Sequence, residues 1–211
     1  MLGFSARVAI AVLGLFTLAA CDQKGSTESA AARPAASAST SAQPAPAPAP
    51  ASASASSDNI FDTAAKGSGF TVGNMMAARQ IYVFFDPQCP HCGHLWNAAK
   101  PLMNQVRMVW LPVGFIAPRS TTQGAALLAA TDPVAAMSAH EQSLLAQQGG
   151  MTPPDNLPTE LSDKVKANTK LWQQIGGESV PTIVFKSPAN GQPGKFAGAL
   201  DTEGLKKLLG I

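Results

Sequence analysis

Charge is scarce in this chain. Lys, Arg, Asp and Glu make up 13% of its 211 residues, about half the ~25% usual in globular proteins. The formal net charge is only +2. That excludes the basic stripe by which nucleic-acid binders are recognised, so no nucleic-acid partner is expected. Cysteine is scarce as well. Three residues are too few for a scaffold held by disulfides. A membrane-spanning run is also missing near the N-terminus. The apolar stretch from Val8 to Ala20 covers thirteen residues, whereas a ~30 Å hydrocarbon core takes about 20. What the chain has in quantity is Gly and Pro, 18 and 17 residues. With so little charge, this composition reads as one folded domain joined to something that does not fold.

Residues 1–20 read as an export signal. Arg7 supplies the positive charge and Val8 to Ala20 the apolar core. The segment ends Leu18-Ala19-Ala20-Cys21, which resembles the lipobox of bacterial lipoproteins. The resemblance implies cleavage before Cys21 and acyl chains on that residue. Several chains anchor stably, where one gives only marginal binding. Asp22 then resembles an inner-membrane retention signal, placing the protein on the periplasmic side of the envelope. With Cys21 acylated, Cys89 and Cys92 remain as an even pair in a compartment where disulfides persist.

Residues 21–58 read as a tether. All but three of residues 30–57 are Ala, Ser or Pro. No large apolar side chain is present there to offset the entropy of folding. Fully extended, the segment would reach roughly 115 Å, and as a flexible coil it would average nearer 35 Å. Either reach or mere spacing would be served.

Residues 59–211 have the length and pattern of one α/β domain. Ile81 to Phe85 is an apolar run of strand length. Leu95, Trp96, Ala99, Leu102, Met103 and Val106 recur at helical spacing. Met108 to Ile116 is again extended and apolar. Residues 120–147 read as two helices divided by Asp132-Pro133. Leu161, Val165, Asn168, Trp172 and Ile175 mark another helix, stopped by Gly176-Gly177. Strands are expected over Thr182 to Phe185 and Lys195 to Gly198. Asp201 is placed to cap a last helix. This order predicts helices beside a mixed sheet.

The chemistry concentrates at Cys89-Pro90-His91-Cys92. A Cys-x-x-Cys that follows a strand and opens a helix puts its first cysteine among unpaired N–H groups and the positive dipole end. Both favour the thiolate, the attacking species in disulfide exchange. Pro90 suits the first helical turn, and His91 offers positive charge nearby. Cys89 is therefore assigned as nucleophile and Cys92 as resolving thiol. Haem attachment is excluded because Gly93, not His, follows the second cysteine. Zinc or copper held by Cys89, Cys92, His91 and His94 is an alternative. A purely structural disulfide is another, although so small a ring constrains little of the unfolded chain.

Phe85-Asp-Pro-Gln-Cys-Pro-His-Cys-Gly-His-Leu-Trp96 resembles the active-site segment of the bacterial Dsb proteins. Asp86-Pro87 and Trp96 are most similar to the DsbC/DsbG branch. The resemblance runs from about Ile81 to Ile211. It implies a thioredoxin-like fold with a helical insertion over about 120–177, and no cofactor beyond the Cys89–Cys92 disulfide. It also implies that Pro181 is a cis-proline facing the two cysteines, with the Val180 backbone pairing with the client peptide. The branch carries an N-terminal dimerisation domain. The tether takes that place here, which points to a tethered monomer. Pro-His between the cysteines and Val180 before the proline are closer to the oxidase DsbA.

The implied activity is thiol:disulfide exchange with cysteine-containing envelope proteins. A membrane redox partner would complete the cycle, either a DsbD-like electron donor or a DsbB-like oxidant. Clients would include single cysteines oxidised to sulfenic acid. A dithiol oxidase and a metallochaperone are the competing activities.

Other residues have quieter expectations. Asp86 is expected to cap the turn before the helix rather than to move protons. Trp96 and Trp172 are expected in the core, Met75-Met76 in core or loop, and His94 and His140 on helix surfaces.

Overall fold

A computed structural model describes residues 60–211. The signal segment, the tether, Cys21 and Asp22 lie outside the described residues.

The domain opens with α1 (Ile60–Ala65) and β1 (Phe70–Gly73), then β2 (Arg79–Phe85) and α2 (Pro90–Ala99). A 3₁₀ turn, Lys100–Leu102, leads to β3 (Val106–Pro112). Three helices follow: α3 (Pro118–Ala129), α4 (Pro133–Leu145) and α5 (Thr159–Gln174). The chain closes with β4 (Thr182–Lys186), β5 (Pro193–Ala197) and α6 (Thr202–Leu209).

The five strands form one mixed sheet in the order β1-β3-β2-β4-β5. β2 and β3 are parallel, with Phe85 opposite Pro112. β1 on β3, β4 on β2 and β5 on β4 are antiparallel. β2 lies at the centre, and its last five residues, Ile81 to Phe85, are all buried. A strand covered on both faces loses the alternation of an amphipathic one and reads as a continuous apolar run. Trp96 and Trp110 meet edge to face at 5.0 Å, and Phe85 meets Trp110 at 5.6 Å. Their contact locks α2 onto the sheet. Trp172 is buried as well, so both tryptophans expected in the core are there.

Two elements escape the sequence pattern. α1 has six residues and β1 four, too short for a period to show. β1 is pinned by close approach at Gly69, where a Cβ would run into the Trp110 carbonyl. Val106, expected on the helix after Cys92, instead opens β3 opposite Arg79. Pro101 supplies the reason: proline cannot donate to an α-helical ladder, so the helix tightens into the 3₁₀ turn and ends. Asp201 caps α6 as expected, its side chain accepting from the Gly204 N–H at 2.7 Å. Met75 and Met76 lie in an exposed turn.

This topology positions the site. Parallel β2 and β3 end at the same edge, and antiparallel β4 begins there. The loops after β2 and β3 and the segment before β4 therefore converge at one end of the sheet.

Candidate active site

Cys89 is the N-cap residue of α2 and Pro90 its first helical residue. The Cys89 carbonyl accepts from the Cys92 N–H at 2.9 Å. The sulfur itself is buried, and its thiol donates to the Val180 carbonyl at 3.4 Å. The Val180–Pro181 peptide bond is cis. Thus Cys89, Cys92, Val180 and Pro181 come together, although 91 residues separate Cys89 from Val180.

The two thiols are electrostatically unlike. The Cys89 pKa is held down at about 7, first by hydrogen bonding from the Cys92 side chain and then by the backbone N–H groups of Cys92 and His91, against the effect of burial. Burial pushes the Cys92 thiol well up. One group is prepared to attack at neutral pH, and the other is kept as a thiol. His91 helps through its backbone N–H; its ring is exposed. His94 is exposed too, as expected, with its ring centroid 6.4 Å from that of His91. The set Cys89, Cys92, His91 and His94 is not assembled for a metal. Among the described residues no group of three His, Cys, Asp or Glu side chains is.

The three residues ahead of Cys89 are each held by the α3–α4 pair. Asp86 is fully buried. It accepts from the Gln88 N–H at 2.7 Å, as a turn cap would. It also accepts from the Phe115 and Ile116 N–H groups at 2.7 and 2.8 Å and from the Ser120 hydroxyl at 2.6 Å. Four donors fill the carboxylate's acceptor sites. The residue does more than cap: it ties the loop after β3 to the turn before α2. Pro87 is held by His140, whose Nε2 lies 2.7 Å from the Pro87 carbonyl. Gln88 Nε2 donates to Gln123 Oε1 at 2.6 Å and to the Gly149 carbonyl at 2.9 Å.

His140 therefore corrects the expectation of a helix-surface histidine. It is fully buried. Its Nδ1 accepts from the Met151 N–H at 3.1 Å, so the ring proton sits on Nε2 and is donated to Pro87. Burial lowers its pKa, which keeps the ring neutral.

Glu141, the next residue, went unnoticed in the sequence. It is buried beside Gly93, and neither carboxyl oxygen has a hydrogen-bond partner. Burial first, then the charges of Cys89 and Asp86, push its pKa up to about 9. Asp86 stood out by its place before the cysteines. Nothing local marks Ser120, Gln123, His140 or Glu141, because each meets the site only after α3 and α4 fold back over it.

Phe115 and Ile116 stand half exposed in the loop fixed by Asp86. The Phe115 ring lies 4.9 Å from that of Trp172. Trp172 Nε1 in turn donates to Thr182 Oγ1 at 3.0 Å, one residue past Pro181.

Comparison with known proteins agrees with this geometry. Residues 76–210 match the Thioredoxin-like domain family. The chain belongs to that family. Within it, the chain is 31% identical over 140 residues to the thiol:disulfide interchange protein DsbG of Pseudomonas aeruginosa, covering 65% of this chain and 54% of that one. It is 35% identical over 115 residues to DsbG of Escherichia coli, covering 52% and 44%. The chain thus spans about half the length of the curated relatives it matches. A periplasmic thioredoxin-like protein from Salmonella enterica serovar Typhimurium shares the fold at a TM-score of 0.58 and 15% identity, covering 72% of this chain and 95% of that one. The expected α/β architecture, a thioredoxin-like mixed sheet flanked by helices, is the one observed.

Proposed function

We propose that this protein is a thiol:disulfide oxidoreductase of the cell envelope, working in the reductase or isomerase direction on protein cysteines. The carrying observation is a Cys89 thiol at a helix N-terminus, with its pKa near 7 and its sulfur beside the carbonyl that precedes a cis-proline. Cys89 thiolate attacks a client sulfur, forming a mixed disulfide and expelling the other client thiolate. Cys92 then attacks Cys89 Sγ. The Cys89–Cys92 disulfide forms, the second client thiolate leaves, and two electrons have passed to the client. A DsbD-like donor would return them. The Val180 backbone borders the client strand, and the exposed Phe115 and Ile116 suit the apolar residues that an unfolded client presents.

The direction rests on the acidity of Cys89. A thiolate pKa near 7 matches thioredoxin, a reductant, rather than DsbA, whose cysteine lies near 3.5. Lipid attachment at Cys21, with residues 21–58 as tether, would hold the domain on the periplasmic side of the membrane. Loss of acyl labelling in Cys21→Ala would establish that attachment, and unchanged labelling would refute it.

Equilibration of the purified protein against glutathione buffers tests the activity. A potential of roughly −180 mV or below supports the reductase or isomerase, and one near −120 mV supports a DsbA-like oxidase. Absence of a reversible Cys89–Cys92 disulfide overturns both and leaves a metal-binding pair of thiols.

A further inference from the structure

We propose that the end of the sheet remote from the thiols is a docking face for an anionic phospholipid surface, so that the domain stands on the membrane with Cys89 directed away from it. This rests on the envelope anchorage proposed above.

The topology collects the side chains of this face. β2 and β4 are antiparallel, with Tyr82 opposite Val184. Arg79, the first residue of β2, and Lys186, the last of β4, therefore share one end of the sheet. Phe84 and Thr182 pair at the other end, next to the cis-proline. The turn from β1 to β2 also lies at the Arg79 end, since Gly73 faces Arg107 and Arg107 faces Gln80. That turn presents Met75, 56% exposed, and Met76, 91% exposed. It is braced by Asn74, whose Oδ1 accepts from the Met76 N–H at 2.9 Å and whose Nδ2 donates to the Asn104 carbonyl at 3.2 Å. Two adjacent thioethers are thus held out at a tip.

Beside that tip the charge is positive and uncompensated. Phe61, Arg79, Gln80, Lys186 and Ser187 border a cavity of about 330 Å³. Lys186 Nζ lies 4.7 Å from the Phe61 ring centroid, and an aromatic face attracts a cation without neutralising it. The ion pairs among the described residues are Lys166 with Asp163 and Lys206 with Glu203, so neither Arg79 nor Lys186 has one. Arg107, opposite Gln80 on β3, adds a third cation, and its buried Nε has no hydrogen-bond partner. Asp62, the carboxylate on α1, is exposed and forms no ion pair. The C-terminal turn of α6 reaches the cavity at Leu209 and supplies only the partial charge of its last carbonyls.

Exposed apolar side chains beside unpaired Arg and Lys are the chemistry of an interfacial anchor. The apolar groups enter the headgroup boundary, and the cations meet the phosphates of anionic lipids. The course of the chain selects the same end. The described residues begin at Ile60, and Phe61 lines the cavity. Residues 21–58 therefore lead from an anchor on Cys21 to this end and not to the thiols. Docked in this way, the domain leaves the loops around Cys89 and Val180 open to clients in the periplasm.

The test uses the full chain with carbon-13 methionine methyls, mixed with nanodiscs that carry a gadolinium-chelating lipid. In discs containing phosphatidylglycerol, the Met75 and Met76 methyl signals should broaden more than those of the buried Met108 and Met137. They should recover in high salt, which screens exposed charges, and in discs of phosphatidylcholine alone. Arg79→Gln with Lys186→Gln should lower the ratio of docked to undocked domain by about 25-fold, each cation near an anionic surface being worth about fivefold. Its exchange with small disulfides should be unchanged. Equal broadening of all four methyls, or the same broadening in neutral discs or in the double variant, would overturn the proposal. So would shifts at Arg79 and Lys186 on adding inorganic phosphate without any broadening by anionic discs, which would assign the cavity to a free anion. Anchorage is read separately. An acylated chain without Met75 and Met76 broadening keeps the anchor and overturns the docking face. A chain without acyl groups that still shows the broadening keeps the docking face and overturns the anchor.

Discussion

His140 Nε2 donates to the carbonyl of Pro87 at 2.7 Å, which fastens α4 to the turn that delivers Cys89. The ring is neutral and accepts from Met151 on its other side. His140→Ala leaves the buried Pro87 carbonyl and the part-buried Met151 N–H without partners. Each such loss costs about 1–3 kcal/mol. Denaturant unfolding should show a destabilisation of that order, and Cys89 alkylation should become less uniform as the turn loosens. An unchanged midpoint would show that the bond contributes nothing.

The same histidine sets an acid limit. Its folded pKa is depressed by burial, so the unfolded chain binds the proton more readily. Stability then falls as pH drops through the unfolded value, near 6.5. His140→Gln should flatten that acid limb in melting curves between about pH 7 and pH 5.

Glu141 acts with the opposite slope. Its folded pKa, about 9, stands above the unfolded carboxyl value. Between about pH 4.5 and 9 the native state binds more protons than the unfolded one, so stability falls as pH rises. Glu141→Gln should therefore raise Tm by several degrees at pH 8, at about 2–4 °C per kcal/mol for a domain of this size. The gain should vanish towards pH 4. A gain independent of pH would refute the linkage.

Cys89 should titrate near pH 7. In the reduced protein the thiolate absorbance near 240 nm and the rate of iodoacetamide alkylation should both be half-maximal there. Cys89→Ser should remove both signals, while Cys92→Ser should shift the midpoint upward, because Cys92 is the largest stabiliser of the Cys89 thiolate. A Cys89 midpoint near 3.5 would place the protein with the oxidases.

Phe115 and Ile116 offer apolar surface where the loop after β3 meets the site. Covering one such side chain stabilises a complex by about 1 kcal/mol. Phe115→Ala with Ile116→Ala should raise KM for unfolded protein substrates by about 30-fold. The rate with small disulfides, which cannot reach that surface, should be unchanged.

What the sequence disclosed follows from how local each signal is. Cys89 and Cys92 are one helical turn apart, after an apolar run of strand length. Asp201 caps the helix that starts at the next residue, through an N–H three residues on. Pro181 has no local signature and was placed opposite the cysteines by resemblance alone. His140 lies on a helix whose sequence, Pro133 to Leu145, has no clean apolar stripe, so its inward direction could not be read. Its partner is 53 residues away. Glu141 carries the formal charge of a surface residue, and only the fold reveals that it has been taken out of water. Asp86 was half legible: its bond to Gln88 is local, while those to Phe115, Ile116 and Ser120 require β3 to have paired with β2.

The hold that α3 and α4 exert on Asp86, Pro87 and Gln88 means that the reactivity of this protein is not portable in four residues. Grafting Cys-Pro-His-Cys onto a smaller thioredoxin domain would carry over the helix N-terminus and the thiols. It would leave behind the carboxylate, imidazole and amide partners that fix the turn, and the buried acid beside Gly93. The unit that behaves as this protein does is the motif together with the two helices folded across it.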